Sequence, residues 1–247
     1  MKAAPVTLMR GAVGASAAAG WRAAIDAHPA WRQRRAEADD AFNPYSSSLR
    51  AQAVPALAPA AIATTLLRGE LNAFCSGLLG EALACNVDQC WGRRQFAPSR
   101  YPPRHAPHAW HQDGALGFDF LRAAIPSSEE KPLDMVTCWI ALTPCGIDAP
   151  GLEWIEEDIP HLLPPSALCD ESIRARHHPA TFRHAAMQPG DCLAFAGNVL
   201  HHTQVSPAMQ RDRTSLEIRL FDANRLPTRL RGDRFVAVQR EPQGIQQ

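Results

Sequence analysis

Met135–Leu142 reads MVTCWIAL, an uncharged run dense in β-branched and aromatic residues. A segment this short and this continuously apolar is a buried strand, and it limits what can surround it. From Cys90 onward the chain is built of similar short pieces. Prolines at 98, 102, 103 and 107 make an irregular stretch. Thr181–Met187 is a second candidate strand, and Pro189-Gly190-Asp191 turns the chain into Cys192–Phe195. Leu216–Phe221 and Arg234–Gln239 alternate. Short strands joined by turns predict a sandwich or jelly roll.

The first ninety residues read differently. Trp21–Ala27 and Ala30–Ala41 are expected to form two short helices parted by Pro29, and Asn43-Pro44 marks a turn. Ala60–Cys85 is the best helix of the chain, with Pro59 as its start signal. Ile62, Leu66, Leu67, Phe74, Leu78 and Leu79 fall near one face at helical spacing and read as core packing. The expected organisation is an N-terminal helical segment, 1–90, packed on a β core, 91–247, as one integrated domain. A chain of 247 residues suits that arrangement.

Composition removes several function classes. Lys plus Arg equals Asp plus Glu at 25 each, so no electrostatic footprint for nucleic acid exists. No polybasic cluster addresses an anionic membrane, and no stretch approaches the length of a membrane helix. A small-molecule partner is left, and oligomeric state is not readable. The seven cysteines are odd in number and form no CxxC, which fits a reducing cytoplasm better than a disulfide framework.

The chemistry centres on Trp110-His111-Gln112-Asp113-Gly114. On a strand, His111 and Asp113 point to the same face and converge on one ion. A third ligand is available in Gly197-Asn198-Val199-Leu200-His201-His202-Thr203, where only one of the two histidines can face the same way. Two histidines and a carboxylate form a facial triad that leaves positions open on Fe(II); Zn(II) accepts the same ligand types. Arg213 follows across a turn at Ser206-Pro207, and its guanidinium can clamp a carboxylate with two parallel hydrogen bonds. An iron site beside a buried arginine is what a 2-oxoacid cosubstrate needs. Plainer readings exist for the same residues: His111 and Asp113 as a hydrogen-bonded surface pair, and Arg213 paired with Asp212 or Glu217, with Arg219 as its substitute. His105 and His108 read as solvated or supporting residues. With Arg93-Arg94 they could face an acidic substrate, which the neutral overall balance does not favour.

The ordered set of HxD, Pro-Gly-Asp, a histidine ten residues past that Asp, and an arginine resembles the phytanoyl-CoA dioxygenase family. WHQDG, PGDCLAF and RTSLEIRLF carry the resemblance, over roughly Trp91–Phe221. It implies a mainly β fold with flanking helices, a double-stranded β-helix (jelly roll, cupin-like) core. It also implies an Fe(II)- and 2-oxoglutarate-dependent dioxygenase that uses O2 to oxidise, by hydroxylation, a small organic substrate with release of succinate and CO2.

Residue by residue, His111, Asp113 and His201 resemble the iron ligands, and Arg213 the arginine on the cosubstrate's far carboxylate. Thr203 matches a hydroxyl position that helps hold that carboxylate. Trp139 matches an aromatic lining the cosubstrate pocket, or is plain core packing. Gln95 falls in a region that contributes a pocket side chain. The interval from the distal histidine to Arg213 fits His202 by one residue, whereas the distance from Asp191 and the His-x-Thr pattern favour His201. The family's Pro-Gly-Ser-His after the central strand is replaced here around Ile159-Pro160-His161, and the N-terminal helices match nothing specific. Asp113 stands where halogenating relatives carry a small residue, which favours hydroxylation. Two other classes share the ligand set: a metal-binding cupin-type module without oxygenase activity, and a metal-dependent hydrolase or isomerase.

Overall fold

The computed structural model describes residues 5–31, 41–101, 105–120 and 130–239. In chain order these form β1 (Val6–Met9), α1 (Ala15–Ala27), β2 (Phe42–Asn43), β3 (Ser48–Arg50), α2 (Pro59–Leu66), α3 (Gly69–Leu79), β4 (Leu83–Asn86) and β5 (Trp91–Gln95). The second half gives β6 (His111–Gln112), β7 (Met135–Ala141), β8 (Gly151–Ile155), α4 (Asp170–Arg176), β9 (Phe182–His184), β10 (Cys192–Ala196), β11 (Leu200–Gln204), β12 (Arg213–Asp222) and β13 (Phe235–Ala237).

The strands make two antiparallel sheets. The larger runs β1-β10-β7-β12-β5-β3-β2, with β4 on the far half of β12 and β13 on β4. The smaller runs β6-β11-β8-β9. This is the jelly-roll architecture that the short strands predicted.

The central strands β7, β10 and β12 carry a division of labour set by the period of two. Val136, Cys138 and Ile140 of β7, Cys192 and Ala194 of β10, and Leu216, Ile218 and Leu220 of β12 join one apolar cluster with Ile25, Ile62, Leu66, Leu71 and Leu79 of the helices. The alternate residues Trp139, Ala141, Leu193 and Phe195 join a different cluster inside the sandwich. On β12 that inner face carries Arg213, Ser215, Glu217 and Arg219, all buried. The helices therefore cover the outer face of the large sheet and leave its inner face to the site.

The helical expectation for the first ninety residues needs correction. Trp21–Ala27 lies inside the longer helix α1, and Pro59 opens α2 as its first residue. The single helix expected over Ala60–Cys85 is broken twice. Arg68 is extended and Gly69 has φ +49°, which separates α2 from α3; Gly80, at φ +91°, ends α3. Cys85 then belongs to β4, because Leu83–Cys85 supply a partner for the end of β12. Of the predicted apolar face, Leu78 is exposed. Strands β1 to β4 also come from this region, and β1 pairs along its whole length with β10. Most of the expected helix Ala30–Ala41 lies outside the described residues; Pro29–Trp31 is a single 3-10 turn. Residues 102–104 of the proline-rich stretch are likewise outside them.

All seven cysteines are free thiols. Among the described residues no helix is long and apolar enough to cross a membrane.

Candidate active site

His111, Asp113 and His201 meet between the two sheets, with one ligand atom from each lying within 4.8 Å of the others. His111 is on β6 and His201 on β11, directly opposite in an antiparallel register. Their rings are 4.3 Å apart between centroids. Asp113 departs from the expectation of a common strand: β6 ends at Gln112, and Asp113 begins a 3-10 turn. Gln112 between them is extended, so both side chains still leave on the same side.

Gly114 explains why the turn fits. A Cβ there would sit 2.5 Å from Pro132 Cβ and 2.7 Å from the Gly197 carbonyl oxygen. Its N–H donates to that same carbonyl at 2.8 Å. The glycine of the WHQDG motif thus packs against the glycine that precedes β11, and the two ligand-bearing segments are held together at the backbone.

Both histidines are oriented by their own chain. His111 Nδ1 lies 2.7 Å from the Ala109 carbonyl oxygen, and His201 Nδ1 3.0 Å from that of Val199. A carbonyl only accepts, so each Nδ1 carries the proton and each Nε2 offers a lone pair to the cluster. Burial, and then the neighbouring His111, lower the His201 pKa to about 4, against the pull of Asp113.

Asp113 is held by both oxygens. Thr137 Oγ1 donates to Oδ2 at 2.6 Å, and Arg219 Nη2 to Oδ1 at 3.1 Å. Burial alone would raise its pKa. The Arg219 guanidinium, the two histidines and the Thr137 hydroxyl outweigh that and keep the carboxyl well below the usual range. Arg219 also reaches Glu217 Oε2 at 3.4 Å and the Gln89 carbonyl at 2.5 Å. It is therefore committed to the carboxylates and is not a substitute for Arg213. Glu217 in turn accepts from Arg93 Nε, and burial, which would raise its pKa, is outweighed by Arg93 and Arg219.

Arg213 is different. It is 3% exposed, and it makes no ion pair among the described residues. Asp212 is taken by Arg100 and Glu217 by Arg93 and Arg219, so neither of the expected alternative partners is paired with it. Arg213 Nη1 reaches only the Gly151 carbonyl, at 3.4 Å, and Nε is buried with no partner. The guanidinium lies over the Trp139 ring, 5.0 Å from its centroid. Burial lowers its pKa to about 10, which still leaves a full positive charge near neutrality.

A narrow pocket joins these groups, lined by Gln95, Trp139, Phe195, Thr203 and Arg213 together with the three donors. Gln95 faces Arg213 across the β5–β12 register. Its amide nitrogen is 2.9 Å from His105 Nε2, and His105 is buried with Nδ1 against the Ser47 hydroxyl. His108 is the more intimate neighbour. It lines the same pocket, and its Nε2 accepts from Arg93 Nη1 at 2.8 Å. The Arg93 charge and then burial hold it neutral.

His202 turns the other way. Its ring stacks on Trp110 with centroids 3.9 Å apart, and its Nε2 is 2.7 Å from Glu153 Oε2. Glu153 also receives Arg174. This is a structural network on the outer side of β11.

Sequence reasoning missed Thr137, Glu217, and the roles of Arg219 and Arg93. A signal existed: RTSLEIRLF places polar residues at 213, 215, 217 and 219, with charge at three of them and apolar residues between from Leu216 on, which marks a polar face inside a sandwich.

Taken together, three donors with open lone pairs adjoin an unpaired buried guanidinium. Such a site can hold a divalent metal and a carboxylate side by side.

A family model described as phytanoyl-CoA dioxygenase matches residues 6–209, ending before Arg213. Among curated protein sequences, none matches the chain. Several solved structures share the fold. EctD from S. alaskensis, solved with 2-oxoglutarate and 5-hydroxyectoine, has a TM-score of 0.63 at 16% identity, covering 91% of this chain and 74% of its own. AviO1 from Streptomyces viridochromogenes Tue57 has a TM-score of 0.59 at 16% identity, covering 92% and 93%. SnoN, a non-heme alpha ketoglutarate dependent epimerase from nogalamycin biosynthesis, has a TM-score of 0.58 at 17% identity, covering 89% and 78%.

Proposed function

The chain belongs to the phytanoyl-CoA dioxygenase family, and on that premise we propose that it is an Fe(II)- and 2-oxoglutarate-dependent oxygenase that hydroxylates a small organic substrate in the cytoplasm. The carrying observation is the cluster of His111, Asp113 and His201 beside a buried Arg213 that has no carboxylate of its own.

The donor set suits Fe(II). His111 and His201 would bind through Nε2 and Asp113 through its carboxylate. Arg213 would take the far carboxylate of 2-oxoglutarate, with the Thr203 hydroxyl beside it and Trp139 as the wall. Gln95, tied to His105, would close the pocket behind them. When bound, this pair supplies the oxidising chemistry, in which reduction of O2 is coupled to loss of CO2 from the oxoacid, to leave succinate, and to oxidation of a substrate C–H bond.

The chain's own residues do the positioning. Ala109 and Val199 carbonyls fix both imidazoles, and Thr137 and Arg219 fix the carboxylate. Arg213 is desolvated before any ligand arrives, so its attraction for a carboxylate is undiluted by water. Phe195 and Leu152 keep the pocket wall dry. SnoN, an epimerase, shares the fold, and the carboxylate at 113 weighs against halogenation, leaving hydroxylation as our reading of the reaction. A hydrolase or a bare metal module would leave Arg213 without a task.

The test is anaerobic titration of the protein with Fe(II) and 2-oxoglutarate, followed by optical absorption. A visible charge-transfer band means that the oxoacid chelates the metal. Iron binding with no band overturns the reading.

A further inference from the structure

A second, wider and more open pocket adjoins the first at His111 and Asp113 and shares Arg93 and His108 with it as well. Trp91, Leu116 and Arg219 also line it. We propose that this pocket takes a substrate that carries a carboxylate, and that Arg93 receives it; the inference rests on the oxygenase reading above.

The two pockets together carry an excess of positive charge. Three guanidiniums, of Arg93, Arg213 and Arg219, face the joined pockets against two carboxylates, of Asp113 and Glu217. A divalent ion and a doubly charged oxoacid cancel, so loading the site leaves the excess positive charge in place. Arg213 is then matched by the far carboxylate, and Asp113 with the near carboxylate matches the metal. The remaining excess is Arg93 and Arg219 over the single Glu217.

Between these two, Arg93 has the spare hydrogen-bonding capacity. Arg219 places Nη1 on the Gln89 carbonyl and Nη2 on Asp113 and Glu217, and its Nε, though without a partner, is buried away from the open pocket. Arg93 uses Nε on Glu217, and Nη1 on the Ser48 hydroxyl and His108. Its Nη2 has no partner among the described residues. These contacts also lock the side chain, so little rotamer entropy is lost when an anion docks.

The surroundings add to the field. Arg50 lies over the Trp91 ring at 5.0 Å, and Arg93 over the same ring at 5.9 Å. Arg50 Nη1 reaches only the Asp88 carbonyl, and its Nε is buried without a partner. The Asp88 carboxylate is already taken by Arg234. A chain with no net charge overall thus presents a cationic mouth with an indole in it, the arrangement that selects an anionic organic molecule with an apolar body.

The test loads the protein with Fe(II) and saturating 2-oxoglutarate without oxygen. Benzoate and its neutral isostere benzamide are then titrated by calorimetry while the charge-transfer band is watched. Benzoate is expected to bind at least ~10-fold tighter than benzamide with the band intact. Arg93→Gln should erase that difference, and Arg93→Lys, which keeps the charge beside Glu217, should retain part of it. Equal binding of the two probes, no binding of benzoate, or an undiminished difference in Arg93→Gln overturns the proposal. So does loss of the band as benzoate binds, because the probe has then taken the oxoacid's place. A missing band at the outset overturns the oxygenase reading instead, and this inference with it.

Discussion

The Thr137 hydroxyl donates to Asp113 Oδ2 at 2.6 Å, from the large sheet to the turn that follows the first strand of the small one. Asp113 therefore has its orientation set across the sandwich. Thr137→Val keeps the shape and removes the donor. Metal affinity should fall ~10-fold or more, within the range typical of lost partners behind a metal ligand, and stability should fall by about 1–2 kcal/mol. Calorimetric titration with Fe(II) or Mn(II) and a urea melt measure the two effects. An unchanged metal affinity would show that Arg219 alone fixes the carboxylate.

The adjacent histidines of β11 should separate cleanly. His201→Ala removes a buried donor from the cluster and should abolish stoichiometric metal binding. His202→Ala removes the stack on Trp110 and one bond to Glu153, which keeps Arg174. It should bind metal normally and lose about 1–2 kcal/mol of stability. Metal titrations of both variants decide the assignment; equal losses would contradict it.

Arg213→Met should move two measurements in opposite directions. The variant removes a buried cation with no counter-charge, so the ligand-free protein should become more stable by about 1–2 kcal/mol. 2-Oxoglutarate affinity should drop ~100-fold, because the far carboxylate loses its only buried charge partner. Metal affinity in the absence of the oxoacid should stay within a few-fold. A destabilised variant would mean that the guanidinium contributes to packing more than it costs in desolvation.

Stability of the metal-free protein should decline as pH falls below about 6.5. The folded chain keeps His201 neutral down to about 4, while an unfolded histidine takes up its proton near 6.5. Between those values the unfolded state binds more protons. This contribution is complete above pH 6.5 and is lost as pH falls toward 4, on the order of 3 kcal/mol. Below that, the depressed carboxyls of Asp113 and Glu217 continue the loss in the same direction. Urea midpoints between pH 7 and pH 4 trace the slope. His105 and His108, also held neutral by burial and neighbouring arginines, add to the slope in the same direction, so His201→Gln should lessen it without removing it; an equally steep slope in that variant removes His201 as a source.

Gly114→Ala should be costly for a steric reason. The added carbon meets Pro132 and the Gly197 carbonyl well inside van der Waals contact. A loss of about 2–4 kcal/mol is expected, with weakened metal binding because Asp113 is displaced. A thermal melt and a metal titration check both.

Most of the candidate cluster was legible because HxD and the Gly-Asp turn are local patterns with fixed spacing. His201 over His202 was readable only as a preference, and the outer partners Trp110 and Glu153 account physically for why His202 turns away. The strands of the first ninety residues were not legible. VTLM and LACN are four-residue segments without a full period, and only their pairing with β10 and β12 makes them strands. Thr137 was hidden for a related reason. It sits in a run that reads as uniform core, and its partner lies in a different sheet.

The split of β7, β10 and β12 into a helix-facing and a site-facing set has a consequence for how such a protein can change. Two messages are interleaved on the same strands, one residue of each in turn. The even positions of β12 specify how firmly the scaffold holds, and the odd positions specify the charge and shape of the pocket inside it. Substituting Leu216, Ile218 or Leu220 should alter melting temperature with the ligand set unaltered. Substitutions at 217 or 219 should rewrite the charge of the pocket with the helix contacts intact. A lineage that keeps the first message is free to edit the second, and can acquire a new substrate without having to find a new fold.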